Sequence, residues 1–131
     1  SGLLHSLFGL RDRDALLGHP KLGASWEGFG VEQILGVLRT RDAYFWATQG
    51  GAELDLFVTL NGRRQGFEFK HADAPGTTKS MRVALEDLGL EHLWVIYPGA
   101  ERYVLDKKIT AVPLREIPLL IDELETGASH A

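Results

Sequence analysis

The chain contains no cysteine in its 131 residues, which excludes disulfide bridges and every metal site built on thiolates. Its five histidines are scattered without His-x3-His spacing, so a zinc site is not expected. No apolar run approaches the ~20 residues a membrane-spanning helix needs, so no membrane partner is expected. The N-terminus also lacks the basic flank and apolar core of a signal peptide. Together these absences suit a reducing, cytoplasmic setting. Positive charge is in deficit: 14 Lys and Arg stand against 18 Asp and Glu, a formal net charge of −4. General affinity for nucleic acid rests on Lys and Arg neutralising phosphates, so the whole-chain field does not supply it. The single methionine is Met81, and with no initiator the start at Ser1 reads as a cut in a larger polypeptide.

Hydrophobic residues make up 44% and charged residues 24%, ordinary for a soluble globular protein. The length fits one domain, expected over 1–125, with a disordered tail over 126–131. Leu3, Leu4, Leu7 and Phe8 stand at helical spacing and predict a short helix over 3–10. Ser25 is a good N-cap for a helix over about 25–39. Its inward stripe reads Glu27, Val31, Ile34 or Leu35, and Leu38, so a carboxylate heads an otherwise apolar row. Three strands follow at 43–48, 52–60 and 63–71, then a helix at about 79–88, a buried strand at 92–97, a short strand at 109–114 and a helix at 117–125. The expected class is α/β: a mixed sheet with an antiparallel three-strand meander and a parallel strand, flanked by helices.

The chemistry concentrates on the second and third strands. Asn61-Gly62 between them is a strong signal for a two-residue type I′ turn. With that turn, opposed residue numbers sum to 123. Leu56 then faces Phe67 and Leu54 faces Phe69 on one side; Asp55 faces Glu68 and Glu53 faces Lys70 on the other. Like charges directly opposed across a strand pair are destabilising. Either one of the two carboxylates is protonated, or a cation sits between them. Hard cations such as Mg²⁺ take carboxylate oxygens. Lys70, two residues beyond Glu68, shares its face and can orient an attacking water or neutralise charge on a phosphate. Gly66 beside them reads as space for a substrate.

Asp55 followed on the next strand by Glu68-Phe69-Lys70 resembles the D…(D/E)-x-K signature of restriction-endonuclease-like nucleases. In that family a Glu on the preceding helix often completes the site, a place Glu27 occupies here. More narrowly, Gly2-Leu3-Leu4, Gly23-x-x-Trp26-Glu27-Gly28-Phe29, Tyr44-Phe45-Trp46, Gly51-x-Glu53-x-Asp55 and Gly66-x-Glu68-x-Lys70 look like the C-terminal domain of unknown function carried by many prokaryotic AAA-type ATPases. The likeness runs from Gly2 to about Leu114. It implies a restriction-endonuclease-like core, a catalytic set of Asp55, Glu68 and Lys70, and Mg²⁺ or Mn²⁺ held by Asp55, Glu68 and Glu27. It also implies an ATPase module in the same polypeptide and DNA or RNA as substrate. No G-x-x-x-x-G-K-[ST] loop is present, so ATP hydrolysis does not belong to this stretch. Leu54, rather than Pro, precedes Asp55, a departure from the broader nuclease pattern.

Plainer readings stand beside these. Asp55 and Glu68 are alternatively a solvated hairpin face with Lys70 paired to Glu53, and Glu27 a first-turn acid complementing a helix dipole. Trp26, Trp46 and Trp94 read as core or rim aromatics. Thr77, Thr78, Lys79, Ser80 and Arg82 read as a cap and a charged first turn, alternatively a phosphate cradle. Arg63 and Arg64 read as solvated. Two functions follow: a metal-dependent phosphodiesterase on nucleic acid, or a catalytically silent regulatory or partner-binding module of the ATPase. Fold alone does not choose between them.

Overall fold

The computed structural model describes residues 5–9, 30, 33–34, 36 and 43–127. Its centre is a seven-stranded sheet in the order β1-β2-β3-β4-β5-β7-β6. The strands are β1 (His5–Gly9), β2 (Ala43–Thr48), β3 (Glu53–Leu60), β4 (Arg63–Phe69), β5 (His92–Tyr97), β6 (Tyr103–Asp106) and β7 (Ile109–Pro113). From β1 to β4 each neighbour runs antiparallel; β4–β5 and β5–β7 are parallel, and β6 returns antiparallel on β7. The meander and the parallel β5 are those the sequence predicts.

Helix α1 (Lys79–Leu88) makes the crossover from β4 to β5. The Thr78 hydroxyl accepts the Met81 N–H at its start, and Gly89, at φ 60°, closes it in the left-handed region that glycine enters without steric cost. Met81, Ala84 and Leu88 fall at helical spacing and are buried with Trp46, Leu54, Leu93 and Val95. Helix α2 (Ile117–Thr126) buries Ile117, Leu120, Ile121 and Leu124 in a second cluster with Leu56, Phe67, Phe69 and Ile96. Alternation along β4 and β5 sends these two sets to opposite sides, so α1 covers one side of the sheet and α2 lies on the other. Ile34, in helical backbone, joins the α2 side and is fully buried, in line with its place on the predicted stripe.

Two expectations need correction, and one strand was not expected at all. Residues His5–Gly9 are a strand, not a helix, paired with β2 from His5↔Thr48 to Gly9↔Tyr44. A helix this short has little stability of its own, whereas the open edge of β2 offers a full ladder. The strand β6 carries no marked sequence signal: it has four residues, and Val104 on it is 72% exposed. Thr126, assigned to the tail, is instead the last residue of α2, and its hydroxyl donates to the Asp122 carbonyl.

Candidate metal and catalytic site

The Asn61-Gly62 turn has both central residues at positive φ, 54° and 77°, as a type I′ turn demands. The ladder leaves it in the expected register, from Leu60↔Arg63 through Thr59↔Arg64, Val58↔Gln65 and Phe57↔Gly66 to Leu56↔Phe67. There the described pairing ends. On the other side of β3, Tyr44 pairs with Phe57 but Trp46 pairs with Leu54, so three residue steps on β3 oppose two on β2. The extra residue makes a bulge spanning Leu54 to Phe57.

The bulge has two results. First, Leu54 turns to the α1 side with Trp46, and is not on the side of Leu56 and Phe69. This corrects the strict alternation expected from sequence. Second, side-chain oxygens take up backbone donors where the ladder has stopped. The Asp55 N–H donates to Glu68 Oε1 at 3.1 Å, and the Phe69 N–H donates to Asp55 Oδ2 at 2.9 Å. Each carboxylate thus binds a backbone amide of the opposite strand. The two acids are locked reciprocally, with Asp55 at 1% and Glu68 at 6% exposure. Buried N–H groups demand a partner, so the exchange carries real weight for the fold.

Lys70 follows directly on β4. Its N–H donates to the Ile96 carbonyl at 2.9 Å, and its Nζ lies 3.6 Å from Glu68 Oε2. The three residues singled out in the sequence therefore meet in one place. Two carboxylates and one ammonium leave excess negative charge when both acids are ionised, and that excess suits a cation. Oxygen donors on acidic side chains are the chemistry a hard divalent ion selects. Among the described residues no group of three or more His, Asp or Glu is placed to hold a metal. Glu27, the expected third ligand, lies outside the described residues, as does Trp26.

Gly66 does not provide substrate space. A Cβ there would lie 2.7 Å from Leu90 Cδ1 and 3.2 Å from Leu54 Cδ2. The glycine is needed because leucines of the α1 side press onto β4, one of them turned there by the bulge. Arg64 is likewise not simply solvated, for its Nη1 donates to the Leu88 carbonyl at 2.7 Å and caps the end of α1.

Of the group at the start of α1, Thr78 serves as cap, and Arg82 donates to Asp106 Oδ2 at 2.7 Å and to Thr77 Oγ1 at 3.1 Å. Lys79 and Ser80 line a cavity of about 270 Å³ with Thr48, Gly50 and Gly51. A second cavity of about 310 Å³ lies by His92, Trp94 and Tyr103. Within it His92 Nε2 lies 2.8 Å from Thr110 Oγ1, and Trp94 Nε1 donates to Gln65 Oε1 behind it at 2.9 Å. Trp46 and Trp94 are both buried, as core aromatics are.

Sequence reasoning missed the part played by the Phe69 amide, which fixes the Asp55 carboxylate. The available signal was the opposed like-charge pair itself. Two acids cannot sit face to face in an undisturbed ladder without something to hold them apart.

The chain is 50% identical over 117 residues to an uncharacterized protein of Mycobacterium tuberculosis and to another of Mycobacterium bovis. The aligned stretch is 89% of this chain but 26% of each relative, so the chain spans about a quarter of their length. No solved structure matches it. Residues 22–117 match the family described as "Domain of unknown function (DUF4143)", a stretch that runs from ahead of the predicted Glu27 helix to the first residue of α2. The chain is therefore a member of the DUF4143 family.

Proposed function

We propose that this domain is a restriction-endonuclease-like module that binds Mg²⁺ or Mn²⁺ at Asp55 and Glu68 and hydrolyses phosphodiester bonds in DNA or RNA. The reading includes a cytoplasmic setting and an ATPase module elsewhere in the same polypeptide. The observation that carries it is the pair of buried carboxylates locked at the bulge with the Lys70 ammonium beside them. An acidic pair in the middle of a sheet is costly unless it serves a cation or a reaction. The antiparallel meander running into a parallel strand, with the acids at its centre, agrees with the nuclease-like core that the sequence resembles.

A divalent cation supplies charge neutralisation and polarisation of the phosphate when bound. The protein's own groups do the rest. The backbone amides of Asp55 and Phe69 hold Glu68 Oε1 and Asp55 Oδ2, and the second oxygens of the same two carboxylates would be the ones to meet the cation. The ammonium of Lys70, half-buried beside Glu68, offers three donors for a phosphate oxygen or the attacking water.

A second reading rests on the same geometry. Carboxylates that already bind backbone amides can serve as a clasp in a catalytically silent regulatory module. Titration of Mn²⁺ into the protein, followed by electron paramagnetic resonance and by cleavage of plasmid and single-stranded substrates, separates the two. Saturable binding and metal-dependent cleavage are expected in wild type, with binding lost in Asp55→Ala and retained without cleavage in Lys70→Ala. No Mn²⁺ bound at millimolar concentration and no cleavage of any nucleic acid would leave the clasp.

A further inference from the structure

Gly30 is buried in helical backbone on the α2 side of the sheet. A Cβ built on it would lie 2.5 Å from Phe69 Cδ1, 2.7 Å from Cε1 and 3.2 Å from Cγ. Carbon atoms pack at about 3.5–4.0 Å, so any other residue would have to displace the ring by about an ångström. Spinning the ring does not wholly relieve the contact, because Cγ, which lies on the spin axis, stays at 3.2 Å and must give by a few tenths of an ångström. Phe69 is also walled in, at 2% exposure, by a cluster that includes Leu56, Phe67 and Ile96. A ring so confined can give way only with the residue that bears it, and the N–H of Phe69 is the donor that fixes Asp55 Oδ2 at 2.9 Å.

We propose that Gly30 is a positioning residue of the Asp55–Glu68 site. Its bare α-carbon lets Gly30 sit directly against the Phe69 ring, and that contact sets the Phe69 amide which holds the Asp55 carboxylate. The inference rests on Asp55 and Glu68 being the cation site, but the link from Gly30 to the amide stands independently of any metal. Glycine otherwise has little reason to be there: inside a helix it is less stable than alanine, so Gly30→Ala would ordinarily be a stabilising change.

The test uses Gly30→Ala, Phe69→Leu and the double variant, each read by cooperative thermal unfolding, by exchange of the position-69 amide in nuclear magnetic resonance, and by Mn²⁺ affinity. Gly30→Ala is expected to fold, to exchange that amide faster than its β4 neighbours, and to lose about 10- to 100-fold in Mn²⁺ affinity, as when a partner that orients a ligand is removed. Shortening the ring makes room for the methyl group, so the double variant should recover both readings. Ile121→Val shrinks the same cluster from the α2 side and should leave both unchanged, whereas a role for Gly30 in general core packing alone would let both drift together. Wild-type amide exchange and Mn²⁺ affinity in Gly30→Ala would overturn the proposal. Should Gly30→Ala fail to fold, the double variant decides: folding with an amide protected as in Phe69→Leu supports the link, and no rescue refutes it. Absence of Mn²⁺ binding in wild type would remove the cation site, while amide exchange would still settle the link.

Discussion

Asp55 and Asp106 both lie on hairpin strands, and both accept a backbone N–H, yet they serve opposite ends. Asp106 accepts the amide of its own neighbour Lys107 at 2.7 Å and pairs with Arg82 at 2.7 Å in solvent. Asp55 accepts the amide of Phe69 from the facing strand, shut away from water beside a second acid. In water the first arrangement has competition from solvent at every contact, and an exposed ion pair contributes little. In the sheet the second bond is shielded from water, so the same kind of contact carries far more weight. Where an acid sits, more than what it binds, decides how much its hydrogen bond matters to the fold.

The comparison breaks first at Asp55. Asp55→Ala leaves the Phe69 N–H buried without its acceptor and should cost about 1–3 kcal/mol in chemical unfolding. Asp55→Asn keeps an acceptor and removes the like charge. It is expected to unfold near the wild-type midpoint in metal-free buffer, and only wild type should gain stability as Mn²⁺ is added. A loss in Asp55→Ala no larger than that in Asp106→Ala would erase the distinction.

The turns of the two hairpins give a smaller contrast. Gly62 sits at φ 77°, so Gly62→Ala should cost about 1 kcal/mol through left-handed strain. Lys108, in the turn between β6 and β7, has no positive φ. Lys108→Ala should fall within about 0.5 kcal/mol of wild type by the same measurement. Equal effects would mean that the first turn does not fix the register.

The smallest expected effect is at Asp106. The Lys107 N–H, and then the Arg82 guanidinium, hold its carboxyl below the usual carboxylate range. A carboxyl whose folded pKa is depressed stabilises the fold above its unfolded pKa, about 3.9, and loses that contribution as pH falls through the folded value. The difference in unfolding midpoint between wild type and Asp106→Asn is therefore expected to be widest above about pH 4 and to close in more acidic buffer. Salt should shrink it throughout, since the pair is exposed. A gap that widens on acidification would contradict the assignment.

Much of this was legible in the chain. Asn61-Gly62 fixed the turn, and the facing pair Leu56 and Phe67 fixed its register, because slipping by one residue would send both to the wrong side. Asp55, Glu68 and Lys70 followed from that register as neighbours. What escaped was local and steric. Nothing in Glu53-Leu54-Asp55-Leu56 marks an extra residue, since Leu54 is apolar and suits either side of a sheet with a buried core on both. Gly66 suggested an opening because a missing side chain leaves room only if no neighbour fills it, and Leu90 does. For His5–Gly9, five residues are too few to tell one periodicity from another, and the decisive factor was a partner edge far along the chain.

That first strand also bears on where this unit begins. The matched family stretch starts at residue 22, yet His5–Gly9 forms an edge rung beside β2. At the other end the likeness stops at residue 117, the first of α2, whose Leu120, Ile121 and Leu124 roof one side of the sheet. A protein trimmed to residues 22–117 would bare the backbone of β2 along one border and an apolar floor beneath the lost helix. Bare strand borders and greasy floors are what chains stick together by. Such a fragment is expected to precipitate, whatever its chemistry.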